Sequence, residues 1–248
     1  LRQARRFIHI QYYIIKNDEL FDSIVPILLD KVREGVEVRI LCDGMGGRFM
    51  PKKRWDQMRS AGIKVGVFFP PFLGWLNLRV NYRNHRKIVV VDGNTGFVGG
   101  FNIGREYISR DPKFGYWRDT HLEIKGEAAI SLQIRFALDW NYVTGENLFK
   151  EIRYFGEEAE YARRRLNGQI HAVWPDPDHV NEMVCMQIIT SGPDTREPHI
   201  RNNYLELFHK AKHHIYIQTP YFIPDDAIFS SLKIAALSGV DVRLMIPC

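Results

Sequence analysis

The chain carries a copy of part of itself. Residues 4–11, Ala-Arg-Arg-Phe-Ile-His-Ile-Gln, align with residues 211–218, Ala-Lys-His-His-Ile-Tyr-Ile-Gln, 207 positions later. Residues 35–41, Gly-Val-Glu-Val-Arg-Ile-Leu, align with residues 239–245, Gly-Val-Asp-Val-Arg-Leu-Met, 204 positions later. Each copy reads as strand, loop, helix, glycine stop, strand, so the fold is a duplicated α/β unit. The reading places a nearly complete first repeat at 1–143, a connecting segment at 144–184 and the start of a second repeat at 185–248. At this offset, a counterpart of residue 85 would fall at about position 290. The helix predicted over 201–212 has only its last residues matched, by Leu1 to Arg6, and residue 1 is not Met. The expectation is a fragment cut at both ends.

Local patterns fill in the first copy. Phe7 to Ile15 is a predicted strand, and Asp18 can cap the helix after it. Leu20, Ile24, Ile27, Leu28 and Val32 give that helix an apolar stripe ending at Gly35, with Pro26 predicting a kink or a later start. Further strands are expected at 36–41, 65–69, 88–91, 95–98, 117–124 and 186–190, with helices at 52–61 and 127–142. The last helix is apolar on more than one face and is expected to be buried.

Chemistry concentrates in His85-x-Lys87-x4-Asp92-x6-Gly99-Gly100-x-Asn102. Ile88 to Val91 is β-branched and ends at Asp92-Gly93-Asn94, so it reads as one arm of a hairpin. Strand alternation puts His85 and Lys87 on one side, Arg86 and Ile88 on the other. Alone, a basic Asn-His-Arg-Lys run is a solvated patch, and Gly-Gly after a hairpin is a turn. Jointly and in this order, they bring an imidazole, an ammonium, an amide and backbone N–H groups to one spot. That set suits a phosphodiester under nucleophilic attack: His85 as nucleophile, Lys87 and Asn102 holding phosphoryl oxygens, and the Gly99-Gly100 backbone alongside. Asp92 opens the turn and is as much a structural as a catalytic candidate.

The pattern resembles the HKD signature of the phospholipase D superfamily. More narrowly, the chain is similar to bacterial cardiolipin synthases at Gly35–Leu41, Asn84–Lys87, Gly99–Gly104, Asp139-Trp140, Ser191-Gly192-Pro193 and Gln218–Pro224. The resemblance implies a phospholipase D-like α/β sandwich with a mixed central sheet and no cofactor or metal. It implies phosphatidyl transfer between two phosphatidylglycerol molecules through a phosphohistidine, giving cardiolipin and glycerol. A carboxylate from a strand beyond the motif fixes the histidine tautomer in that superfamily; Arg118-Asp119-Thr120-His121-Leu122 resembles that strand, which nominates Asp119. Two such motifs meet in intact members, the second histidine protonating the leaving alcohol. The 248 residues hold one, so this chain alone is expected to be nearly inactive. Gln11 and Tyr13, with Gln218 and Tyr221 in the second copy, are candidate pocket residues on equivalent strands.

Composition adds bounds. Net charge is +5, compatible with phosphate-rich partners; the resemblance favours anionic phospholipid and a membrane surface over nucleic acid. Three cysteines without C-x-x-C spacing indicate neither a disulfide framework nor a zinc site, and no H-E-x-x-H occurs. Nothing approaches the ~20 apolar residues of a membrane span, although the resemblance implies hydrophobic helices upstream of Leu1, anchoring a cytoplasm-facing catalytic part to a bacterial membrane. Pro70 to Leu76 is either a packed loop or a lip dipping into lipid. Two other classes compete. One is a phospholipase D-type hydrolase or nuclease with water as acceptor, and the other a phospholipid-binding scaffold with a spent site.

Overall fold

A computed structural model of the chain describes residues 1–69, 83–155, 184, 186–192 and 195–247. The predicted lip at 70–76, the charged run at 157–165, the break at 174–177, Cys185 and Cys248 lie outside them. Contacts divide the chain into Leu1–Ile188 and Ile189–Cys248.

In the first unit, β1 (Phe7–Tyr12), α1 (Glu19–Arg33), β2 (Glu37–Asp43), α2 (Lys52–Ser60) and β3 (Lys64–Phe68) are followed by the hairpin β4 (Ile88–Val91) and β5 (Thr95–Gly99), then β6 (His121–Lys125) and α3 (Ala128–Thr144). The six strands form one sheet in the order β3-β2-β1-β4-β5-β6. β1, β2 and β3 pair in parallel, while β4, β5 and β6 are antiparallel additions on the other side of β1. This is the mixed α/β sheet expected.

Strand alternation sorts the core into two layers. Ile8, Ile10, Val38, Ile40, Val89 and Val91 face α1 and α2, meeting Phe21, Val25, Leu28 and Trp55. Phe7, Leu41, Ile88 and Val90 face α3, meeting Leu132, Phe136 and Trp140. Asp18 caps α1 by accepting the Leu20 and Phe21 N–H groups, and α1 runs continuously across Pro26. Helix α3 departs from expectation: Leu132, Phe136 and Trp140 are buried, but Ile134 and Leu138 are 41% and 44% exposed. Ala137 is buried and Ile130 partly so, which leaves Ile134 and Leu138 outside the core.

The α3 side of the sheet also holds charge. Arg39 is fully buried and pairs with Glu37 and Glu146, and its guanidinium donates to the Tyr154 hydroxyl at 3.0 Å. Leu148–Lys150 and Ile152–Phe155 form short 3₁₀ turns that bury Leu148, Tyr154 and Phe155 in this layer. The start of the segment read as a connection is therefore part of the first unit's core.

The second unit contains α4 (His199–Lys210), β7 (His214–Gln218), α5 (Asp226–Leu237) and β8 (Asp241–Met245). β7 and β8 pair in parallel, as β1 and β2 do, and Asp225 caps α5 where Asp18 caps α1. Residues 186–190, predicted as a strand, form none here. An apolar run without a neighbour to take its N–H and C=O groups cannot become one.

Candidate active site

Residues 83–87 lead into β4 without sheet pairing of their own. Alternation carries Lys87 to the same side as Val89 and Val91, and its ammonium lies 2.8 Å from His85 Nδ1 while donating to the His85 carbonyl at 2.6 Å. Lys87 is 4% exposed, whereas His85 keeps part of its surface open to solvent. Tyr13, just past β1, floors the pair: the His85 ring stands 4.7 Å from its centroid and the Lys87 ammonium 5.6 Å. Gly46 presses on the Tyr13 carbonyl so closely that a Cβ there would overlap it.

The electrostatics favour a neutral imidazole. Partial burial, then the neighbouring ammonium, lowers the His85 pKa from 6.5. An ammonium can only donate, so the ring nitrogen facing it carries a lone pair rather than a proton. Burial likewise lowers Lys87 to about 8, against an opposing pull from Asp119.

Asn102 reaches the residue after Tyr13 and is already engaged. Its Oδ1 accepts the Ile14 N–H at 3.0 Å, and its Nδ2 donates to the Tyr107 hydroxyl at 2.9 Å. Backbone bonds from Ile103 N–H to the Ile14 carbonyl and from Lys16 N–H to the Ile103 carbonyl stitch this segment to the end of β1. The Gly99-Gly100 pair is explained by protein, not by open space. A Cβ on Gly99 would strike the Thr120 carbonyl and one on Gly100 the Asp119 carboxylate. The Gly100 N–H already donates to the Thr120 carbonyl at 3.1 Å, so it is not free for a phosphoryl oxygen.

Other candidates are placed elsewhere. Asp119 is exposed and accepts the Thr120 N–H at 2.7 Å; no hydrogen bond joins it to His85. It lies before β6 because residues 117–120, expected within a strand, instead wrap back, Trp117 N–H donating to the Ser109 hydroxyl. Asp92 is at the other end of β4, about 16 Å along the strand from Lys87. Its carboxylate accepts the N–H groups of Arg5, Arg6 and Phe7 at 2.8, 2.8 and 2.9 Å. Asp92→Ala would release all three and is expected to cost about 3 kcal/mol, read as a lower urea midpoint. Gln11 points to the α3 side, where it donates to Asn84 Oδ1 and Asp139 Oδ2. Gln218 and Tyr221 are exposed in the second unit.

Three participants escaped the sequence reading. Asp43 accepts the Asn84 N–H at 3.0 Å, Asp139 accepts the Asn84 amide at 2.9 Å, and Tyr107 holds Asn102. Asp43 and Asp139 are revealed by contacts with Asn84 from far along the chain, and Tyr107 by the local bond of its hydroxyl to Asn102. Among the described residues, no three His, Cys, Asp or Glu side chains cluster to hold a metal ion.

This sheet and its His-x-Lys hairpin define a phospholipase D-like α/β domain. The same fold occurs in the crystal structure of phosphatidylserine synthase from Haemophilus influenzae Rd KW20, with a TM-score of 0.61 at 15% identity over 99% of this chain and 57% of that one. A family model described as cardiolipin synthase, PLD-like domain, matches residues 1–126 and 204–248, and the chain belongs to that family. It is 45% identical over 252 residues to the major cardiolipin synthase ClsA of Bacillus subtilis (strain 168), covering 100% of this chain and 47% of that protein. It is 49% identical to cardiolipin synthase 2 of Staphylococcus epidermidis (strain ATCC 12228) and 48% to cardiolipin synthase of Staphylococcus aureus (strain N315), with 100% of this chain covered in each. The chain spans about half the length of the curated relatives it matches.

Proposed function

We propose that this chain is the first catalytic half of a phosphatidyltransferase that makes cardiolipin. The observation carrying the reading is an imidazole whose Nδ1 lies 2.8 Å from a buried ammonium, on the rim of a phospholipase D-like sheet. In the first step His85 attacks the phosphorus of phosphatidylglycerol. A phosphorus–nitrogen bond forms, the bond to glycerol breaks, and the leaving oxygen takes a proton from an acid in the second half. In the second step the glycerol hydroxyl of another phosphatidylglycerol attacks that phosphorus, its proton returns to the same group, and His85 is freed. Lys87 would turn from the His85 ring to a phosphoryl oxygen when the diester enters. Asn102 would offer its second Nδ2 hydrogen, Tyr107 and Ile14 fixing the amide plane.

Asp119 would need to move from Thr120 to orient His85. Asp92 would act by fixing the start of β1, and Gln11 by supporting Asn84. For Gln218 and Tyr221 a substrate-binding role rests on their place in the repeat alone. A phospholipid substrate would bring the protein to a bacterial membrane, and we take its cytoplasmic face as the working side; among the described residues no helix is long and apolar enough to cross a membrane.

The sign of both pKa shifts sets a pH profile. Activity should rise as His85 loses its proton below pH 6.5 and fall as Lys87 loses its own at about 8. A kcat/KM profile flat from pH 7 to 9.5 would remove Lys87 from the chemistry. The direct test of function is incubation of the longer protein with phosphatidylglycerol. Cardiolipin and glycerol are expected in equal amounts, whereas phosphatidic acid would mean water is the acceptor. The 248-residue chain alone should turn over less than about a thousandth as fast, lacking the acid.

A further inference from the structure

We propose that Asp139 is a positioning residue for phosphatidyl transfer, holding both chain neighbours of His85 from the opposite side of the sheet. The proposal rests on the reading of His85 as nucleophile. The stretch 83–87 precedes the first ladder residue of β4, so no sheet pairing fixes its path. A nucleophile on such a segment needs another anchor.

Asp139 supplies it. This α3 carboxylate is 2% exposed and gathers donors from three elements. Asn84 Nδ2 donates to its Oδ2 at 2.9 Å, Arg86 Nη1 at 3.1 Å and Gln11 Nε2 at 2.7 Å, while Arg135 pairs with Oδ1. Asn84 and Arg86 flank His85 in the chain and alternate with it, so gripping both leaves the imidazole directed to the opposite face. Two further bonds complete the clamp: Gln11 Nε2 donates to Asn84 Oδ1 at 2.9 Å, and Asn84 N–H donates to Asp43 Oδ2 at 3.0 Å. Helix packing alone does not call for this arrangement. Leu132, Phe136 and Trp140 already dock α3 on the sheet, and a buried carboxylate is costly unless its bonds are all made.

A displacement of His85 by about 1 Å is enough to lower a displacement rate by about 10²-fold. The test uses the longer protein with phosphatidylglycerol and four variants. Asp139→Asn leaves one acceptor oxygen, which can serve Asn84 and its companions or Arg135, but not both. Asn84→Ala releases the clamp while Asp139 keeps Gln11, Arg86 and Arg135, so it remains informative if Asp139→Asn does not fold. Leu132→Ala destabilises α3 without touching the clamp, and His85→Ala checks the nucleophile. We expect kcat to fall about 10²-fold in Asp139→Asn and Asn84→Ala with KM within about threefold, and formation of the His85 adduct to slow in step. Leu132→Ala, compared by its melting temperature, should keep kcat within about threefold. Wild-type kcat in Asn84→Ala, or an equal kcat loss in Leu132→Ala, would overturn the positioning role. An active His85→Ala would instead remove the reading beneath it.

Discussion

Replacing His85 with alanine in the longer protein is expected to lower cardiolipin formation by about 10⁴-fold or more, with little change in stability. The size follows from the role. A covalent intermediate divides one difficult displacement between two anions into two easier ones, and no other described side chain beside Lys87 offers an unprotonated nitrogen. The small stability effect follows from position: His85 keeps part of its surface open to solvent, its ring resting on Tyr13, and contributes little to either core layer. Lys87→Ala should differ. It would lower the rate and also leave a gap over Tyr13, because Lys87 is buried. Steady-state rates with melting curves on both variants check this contrast.

The second large effect concerns acid. His9 lies on β1 facing α3, with its ring 4.5 Å from Phe136 in a stack and its Nδ1 3.0 Å from Gln133 Oε1. Burial lowers its pKa from 6.5 to about 3. The unfolded chain therefore takes up a proton near pH 6.5, while the folded chain resists until about 3. Stability from this group is complete above pH 6.5 and is lost progressively as pH falls through that window. At ~1.4 kcal/mol per pH unit, the loss between pH 7 and 4.5 is about 2–3 kcal/mol, reaching about 4–5 kcal/mol near pH 3. Urea midpoints at pH 7 and 4.5 should shift by this much more in the parent than in His9→Gln. Equal shifts in the two would mean that other groups dominate the acid response.

The sequence made the hairpin legible because its signals are local. The β-branched run Ile88–Val91, the turn at Asp92-Gly93 and the alternation that pairs His85 with Lys87 all lie within a dozen residues. The repeat likewise announced β1, α1 and β2 and their counterparts β7, α5 and β8. What stayed hidden depends on partners far along the chain. Asp43 and Asp139 reach Asn84 from 41 and 55 residues away, and only the packed sheet shows it. Gln11 was misplaced because its face depends on register: it lies opposite Ile88, so it points with Ile88 toward α3 and away from Lys87. The glycine pair looked like room for a ligand, yet the room is taken by Asp119 and Thr120. The run 186–190 has the right composition for a strand and no ladder to join.

The most direct measurement is to mix the longer protein with radiolabelled phosphatidylglycerol, quench in alkaline denaturant within the first turnovers, and map the label by peptide mass spectrometry. A phosphatidyl group on the peptide containing His85, acid-labile and absent from His85→Ala, is the expected result. Label on another residue, or full cardiolipin synthesis by His85→Ala, would contradict the account.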